Sequence, residues 1–559
     1  MVTVDMSPEI LESGLMQKEQ GFKFLDNSEL RAEFGEWLQP SQEVIHQTGL
    51  ELVNTRLFID QLSKERGMPV TIDMVSSEQW NHLLKNHDIV WFMGIYKPSE
   101  WSRHHAEEYS DQYKYALADL DPEHDVAASP FAIPEYVPNP TIAPDWNAWD
   151  KMVENLHSLK KKVFVDFVPN HVAVDHPWAN TNPEYLVQGT QEQFEENPSL
   201  YQKVTADDGK TYYLAHGKDP NYSEWTDTLQ LNYAKPAVQE EMKKILFNLA
   251  EHADGARCDM AMLLDASTFI RTWGSHLSEE EKKYIEEHNF WESAIAEVKE
   301  RAKTMGKDDF SFIAEAYWDK EELGQYFDFI YGKDFYDRLK RIVENKEQPG
   351  QNLKDHILHI MTAVRNGRHY RDVLFTENHD EERAVKVFGK EPSKAVAALT
   401  GLIPESIFLV NQGQEEGKQI RPPMQIARFP NEAPDVNMEQ FYKRLLMLKR
   451  SKLFQEGDYK LADFSSEDDK IIALQVSISP ETTTTQPRPN HETGAVVCIN
   501  MSNSLSSGKI SEIGPDKNTD AYRLSQGEFV TSPDIKREGG MYVELAPWET
   551  QIIFYKQIG

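Results

Sequence analysis

Between residues 50 and 410 the chain alternates short, almost unbroken apolar runs with longer polar stretches whose apolar positions recur every three or four residues. The runs fall at 50–59, 88–95, 162–168, 256–261, 310–315, 327–331, 373–377 and 406–410. A run without polar alternation suits a strand buried on both faces, the environment of a parallel sheet. The stretches between, such as 146–160 and 238–250, have the spacing of amphipathic helices. Strand–helix alternation repeated this often predicts a (β/α)8 barrel or a doubly wound sheet.

The flanks read differently. Residues 1–48 predict an amphipathic helical extension, seen most clearly over 29–38. Beyond 453 the apolar runs at 471–476, 495–499 and 550–554 come without helices and predict a C-terminal all-β sandwich over 454–559. A Thr/Pro-rich loop, 482–489, lies inside it. The barrel region is then 49–453. Two of its intervals, 96–146 and 171–233, are too long for simple connections. The second is rich in Asn, Pro, Gly and aromatics and reads as an inserted loop domain after the third strand, 171–235. Long ordered insertions at the C-terminal ends of barrel strands are where binding sites form.

Charge narrows the partners. Asp and Glu number 92 against 59 Lys and Arg, a formal net charge of −33. That field repels nucleic acid and anionic membrane surfaces, and a neutral substrate hardly feels it. The two cysteines, Cys258 and Cys498, are too few for a disulfide framework and form no CxxC pair. No window holds the roughly 18 apolar residues of a membrane span. The first residues show no signal-peptide pattern. The expectation is a cytoplasmic protein with neither nucleic acid nor membrane as partner.

The strand ends carry the chemistry. The third run closes on Asp166-Phe167-Val168-Pro169-Asn170-His171 and the fourth contains Arg257-Cys258-Asp259. The fifth ends Glu315-Ala316-Tyr317-Trp318, and the seventh Glu377-Asn378-His379-Asp380. A single buried carboxylate can be structural, but four strands each delivering one to the same rim call for a site. Asp259, Glu315 and Asp380 suggest a nucleophile, a general acid and a stabiliser. Two carboxyls flanking a glycosidic bond are the minimum for glycoside hydrolysis. Arg257 lies two positions before Asp259, hence on the same side of the strand, where its charge favours an ionised Asp259.

These four segments, in this order and spacing, resemble the signature segments of the α-amylase family, glycoside hydrolase family 13. Supporting stretches are similar too: Ser129-Pro130-Phe131-Ala132-Ile133, 225–233 and Asn411-Gln412-Gly413-Gln414-Glu415. The 412–417 stretch resembles a bacterial-type subgroup rather than secreted starch amylases. The resemblance covers about 50–559. It implies a (β/α)8 TIM barrel with an inserted loop domain after strand 3 and a C-terminal all-β domain. It also implies a retaining enzyme acting on α-glucosidic bonds of α-glucans or maltooligosaccharides. By position it makes Asp259 the nucleophile, Glu315 the general acid/base and Asp380 the third carboxylate. Arg257, His171, His379, Asp166 and Phe131 fall at its substrate-binding positions, with Asp166 divided between supporting the subsite and touching substrate. No cofactor is needed for the chemistry. Asn170 is the family's candidate ligand for a structural Ca2+.

The chain departs from the family in places. Phe131 stands where the family usually has a stacking Tyr, and Met262 and Leu263 stand where many members have Lys and His. The second change removes polar acceptor contacts and weakens the case for calcium. Trp178, Tyr96, Trp225 and Trp318 are candidate sugar platforms, although packing is the commoner use of such rings. Two alternatives stay open: a transglycosylase or isomerase of trehalose or sucrose type, which shares the covalent intermediate, and a non-catalytic glucan-binding barrel. Retention of all three carboxylates speaks against the latter.

Overall fold

A computed structural model describes residues 35, 37–41, 46–307, 310–466, 468–479, 492–511, 513, 517–530, 536–537 and 540–557. Most of the N-terminal extension and all of the 482–489 loop lie outside the described residues.

Eight parallel strands close into one barrel. In chain order they are β1 (Gln47–Asn54), β2 (Ile89–Met93), β3 (Lys162–Phe167), β4 (Gly255–Cys258), β5 (Ser311–Ala314), β6 (Phe329–Tyr331), β7 (Arg371–Phe375) and β8 (Ser406–Asn411). Each neighbours the next, and β1 pairs with β8 to close the ring, Leu50 opposite Leu409. This is the (β/α)8 barrel of the sequence reading, and closure excludes the doubly wound sheet. Side chains alternate across the wall. Leu52 and Trp91, opposite one another, face the interior. Phe92 faces the helices and meets Trp80 and Trp149 edge-on, at 5.6 and 5.5 Å between ring centroids.

The strand boundaries differ from the sequence reading in instructive ways. The first apolar run is split: β1 starts at Gln47, inside the expected extension, and ends at Asn54. Asn54 then caps the helix Thr55–Arg66 by accepting from Leu57 N, so the rest of the run is helix. The helix ends where Gly67 takes a left-handed φ of 64° and its N–H bonds back to the last turn. An apolar run does not distinguish strand from helix, and a side-chain cap settles it here. The fourth run ends early for another reason. After β4 the chain enters a tight 3-10 turn, Ala261–Leu264, because Met260 adopts φ 43°.

The stretch after β3 forms its own small sheets. His171–Ala173 pairs antiparallel with Thr228–Gln230, and Gln188–Gly189, Tyr201–Thr205 and Thr211–Ala215 make a three-stranded sheet. Beyond the barrel come two antiparallel sheets. One has six strands, centred on Ile471–Ile478, Thr493–Asn500 and Thr550–Gln557. The other has four, including Ser506–Ile510 and Gly540–Leu545. Ile471, Val496, Ile553 and Tyr555 of the first share a core with Ile510, Met541 and Val543 of the second. The opposite face of the six-stranded sheet, with Ile472, Leu474, Val497 and Phe554, joins the main barrel core. No helix among the described residues is long and apolar enough to cross a membrane.

Candidate active site

The C-terminal rim of the barrel gathers the sequence-predicted carboxylates. Asp259 directly follows β4, and its N–H donates to Phe167 O of β3 at 2.8 Å. Glu315 directly follows β5, and its N–H donates to Cys258 O at 3.0 Å. Both backbones therefore belong to the barrel ladder rather than to loops, which fixes their side chains.

Arg257 is the hub of the site. It is fully buried, and its guanidinium reaches Asp259 Oδ1 through Nη1 and Glu315 Oε2 through Nη2, each at 2.6 Å. Trp91, Phe131 and Tyr331 surround the cation, with ring centroids 4.9, 5.4 and 5.7 Å from Cζ. Below it, Asp166 lies opposite Arg257 in the β3–β4 register. Asp166 is completely buried and both its carboxyl oxygens are taken. Trp91 Nε1 donates to Oδ1 at 2.9 Å and Gly94 N to Oδ2 at 2.7 Å. These two donors tie Asp166 to β2 and the residue just beyond it, beside Arg257. Gly94 is required there. Its φ is +73° and a Cβ would lie 2.8 Å from Pro130 Cβ.

Glu315 is held by an ion pair and two hydrogen-bond donors. Besides Arg257, Met260 N donates to Oε2 at 2.9 Å and Tyr317 OH to Oε1 at 2.6 Å. The left-handed backbone of Met260 turns that N–H toward Glu315, a strained conformation at the functional rim. Burial pushes the Glu315 carboxyl above its ordinary range against the pull of Arg257, and the neighbouring Asp259 adds to the rise. Tyr317 and the Met260 backbone were missed in the sequence. Only the placement of Tyr317 two residues beyond Glu315 signalled it.

Asp380 comes from the turn after β7. Asn378 Oδ1 accepts from the N–H groups of Asp380 and Glu381 at 2.9 and 2.8 Å, and Arg421 Nη1 donates to Asp380 O at 2.9 Å. Glu377 anchors the turn from below, accepting from Arg383 Nη1, Ala384 N and Asn411 Nδ2 at 2.6, 2.7 and 2.9 Å. The Asp380 carboxyl is pushed up to about 7, first by burial and then by the charges of Glu315 and Asp259, so the three acids share one electrostatic environment. Its side chain keeps 33% exposure, and His379 Nε2 lies 3.1 Å from its Oδ2. Phe131 and Trp91 pack on the His379 ring at 5.3 and 5.4 Å between centroids. Burial and the cations Arg257 and Arg421 hold His379 well below its usual range, so its imidazole is neutral.

His171 opens the inserted segment and is also neutral, its pKa lowered to about 4 by burial. Trp225 lies over it at 5.1 Å between ring centroids. Of the other aromatic candidates, Tyr96 is buried and bonds Asp166 O at 2.6 Å, while Trp178 packs on His176 and Tyr185. Trp318 donates to Thr268 Oγ1 at 3.3 Å. Asn170, the candidate calcium ligand, is buried beside Gln230. Its amide is paired with that of Gln230, Nδ2 to Oε1 at 3.2 Å and Oδ1 accepting from Nε2 at 3.1 Å. His171 Nδ1, 3.3 Å away, is its third side-chain neighbour. Met262 and Leu263 are buried in the core and offer nothing to an acceptor.

Known proteins place this geometry in context. The family model "Alpha amylase, catalytic domain" matches residues 143–451. α-Amylase 3 of Dictyoglomus thermophilum is 25% identical over 329 residues, which are 55% of this chain and 58% of that relative. The cyclomaltodextrin glucanotransferase of Geobacillus stearothermophilus is 24% identical over 279 residues, 48% of this chain and 34% of that relative. The chain thus spans between about a third and three-fifths of the curated relatives it matches. Among solved structures, an α-amylase from H. orenii superposes with a TM-score of 0.59 at 16% identity, covering 92% of this chain and all of that one. With the catalytic-domain model matched over more than half of its length, this protein belongs to the α-amylase family.

Proposed function

We propose that the protein is a retaining glycosidase acting on α-glucosidic bonds of α-glucans or maltooligosaccharides. Asp259 Oδ2, the carboxyl oxygen not bonded to Arg257, attacks the anomeric carbon. The bond from that carbon to the leaving oxygen breaks as Glu315 passes its proton to the leaving group. A β-linked glycosyl ester on Asp259 results. Glu315, now a carboxylate, takes a proton from water, and the resulting hydroxyl displaces Asp259 and returns the α-anomer. Asp380, half-buried beside His379, binds sugar hydroxyls and offsets positive charge on the ring in the transition state.

The observation that carries this reading is the guanidinium of Arg257 shared between Asp259 and Glu315. Two carboxyls paired with one guanidinium lie close together, which supports the short separation a double displacement needs. Burial, acting against Arg257, pushes Glu315 toward its protonated form, as a general acid requires.

The similarity to a cyclomaltodextrin glucanotransferase supports a second reading, in which a sugar hydroxyl replaces water in the second step. One experiment serves both. The protein is incubated with maltooligosaccharides, soluble starch, trehalose and sucrose, and products are separated by chromatography. Reducing-sugar release supports hydrolysis, and longer or rearranged oligosaccharides support transfer. Tight glucan binding without either would favour the non-catalytic alternative.

A further inference from the structure

A second cluster of ionisable side chains sits on the outer wall of the barrel, away from the sugar site. Glu51 lies on β1 level with Val90 of β2 and Val410 of β8, on the helix-facing side. His87 precedes β2 and packs against Gly49, where a Cβ would come within 3.3 Å of its Cδ2. Glycine at 49 therefore makes room for the imidazole. Glu415 follows β8 in a turn pinned by the buried Gln414. Gln414 Oε1 accepts from Asn411 N at 3.0 Å, and its Nε2 donates to Thr376 Oγ1 and Tyr442 OH at 2.7 and 2.8 Å.

These three segments aim at one point. His87 Nε2 lies 3.4 Å from Glu51 Oε2 and 3.7 Å from Glu415 Oε1. One ligand atom from each residue falls within 4.8 Å of the others. His87 is 1% exposed and Glu51 5%, yet neither ring nitrogen of His87 nor Glu51 Oε2 makes a hydrogen bond. Buried polar groups left this way are rare and costly. The nearby cations are engaged elsewhere: Lys161 Nζ donates to His87 O at 2.6 Å, and Arg450 pairs with Asp88. Ligand atoms about 2.0–2.2 Å from a tetrahedral ion stand about 3.3–3.6 Å apart, close to the spacing around His87 Nε2. One imidazole and two carboxylates suit a divalent first-row transition ion. Glu415, 35% exposed, leaves a route in.

We propose that Glu51, His87 and Glu415 form a structural site for a divalent transition ion, with zinc the best-fitting one, which staples the seam where β8 closes the barrel on β1 and β2. The ion joins three segments that are far apart in the chain, so it stabilises the folded state without taking part in sugar chemistry.

The test uses the full chain, stripped with a chelator, dialysed at pH 7.5, and equilibrated with zinc chloride. Bound zinc is measured by elemental mass spectrometry and stability by thermal unfolding. The wild type should retain one equivalent and rise in Tm. Glu415→Gln, a change at a partly exposed position that the fold tolerates, should lose both the equivalent and the rise, and Glu51→Gln should do the same. Asp319→Asn, in the surface group Asp265, Asp319 and Glu322, should keep both. The proposal is overturned if wild type holds no zinc above buffer, if Glu415→Gln keeps its equivalent, or if Asp319→Asn removes it.

Discussion

Arg257 Nη1 lies 2.6 Å from Asp259 Oδ1, and the same guanidinium reaches Glu315, so one fully buried cation sets the positions of both carboxyls. Removing it leaves two buried carboxylates and the underlying Asp166 without their counter-ion. Loss of one partner of a buried pair costs about 3–5 kcal/mol. Arg257→Met should therefore lower the urea unfolding midpoint by a corresponding amount and abolish turnover. Unchanged stability would mean that the cation is not what holds the rim together.

Asp259→Asn and Glu315→Gln should each lower activity by about three orders of magnitude or more in a protein that still folds, with the unfolding midpoint lowered because Arg257 keeps one fewer carboxylate partner. Initial rates of reducing-sugar release, with circular dichroism to verify the fold, check both halves. Near-wild-type turnover in either variant would remove that residue from its role.

Tyr317 OH donates to Glu315 Oε1, and a donor stabilises the charged carboxylate. Tyr317→Phe should raise the Glu315 pKa further. Because Glu315 must hold a proton before the first step, activity exists below its pKa and fades above it. The alkaline limb of the pH–kcat/KM profile should then move to higher pH in the variant. A purely structural Tyr317 would lower the rate at every pH and leave the limb in place.

What the sequence made legible is what strand ends dictate. Asp259, Glu315 and Asp380 stand at the ends of β4, β5 and β7 or in the turn beyond, where burial pattern and polar residue meet in a short stretch of sequence. The apolar runs of strand length gave the strand–helix alternation but left a barrel and a doubly wound sheet open, which the pairing of β1 with β8 decides. The contacts that complete the site are tertiary or depend on backbone angles. The Met260 N–H reaches Glu315 only because residue 260 takes φ 43°, which methionine does not announce. The partners of Asp166, Trp91 Nε1 and Gly94 N, are tertiary contacts that no local pattern announces. The 50–59 run was ambiguous because Asn54, an ordinary polar residue in sequence, turns out to cap a helix.

Gly94 carries two constraints at once, a φ of +73° and Pro130 Cβ at 2.8 Å from where a side chain would begin. Gly94→Ala should cost about 1–3 kcal/mol, through backbone strain and a displaced N–H to Asp166. Thermal unfolding reads the loss, and kcat should fall with it as Arg257 loses its support. A neutral substitution would show that the turn can relax without disturbing Asp166.

The central claim is a covalent sugar on Asp259. Glu315→Gln, which slows release of the intermediate, is incubated with an activated α-glucosyl fluoride, digested and sequenced by mass spectrometry. One hexosyl group should appear on the peptide containing Asp259, and the product released by wild-type protein should be the α-anomer by NMR. Attachment to another residue, or a β-anomer as first product, would contradict the account.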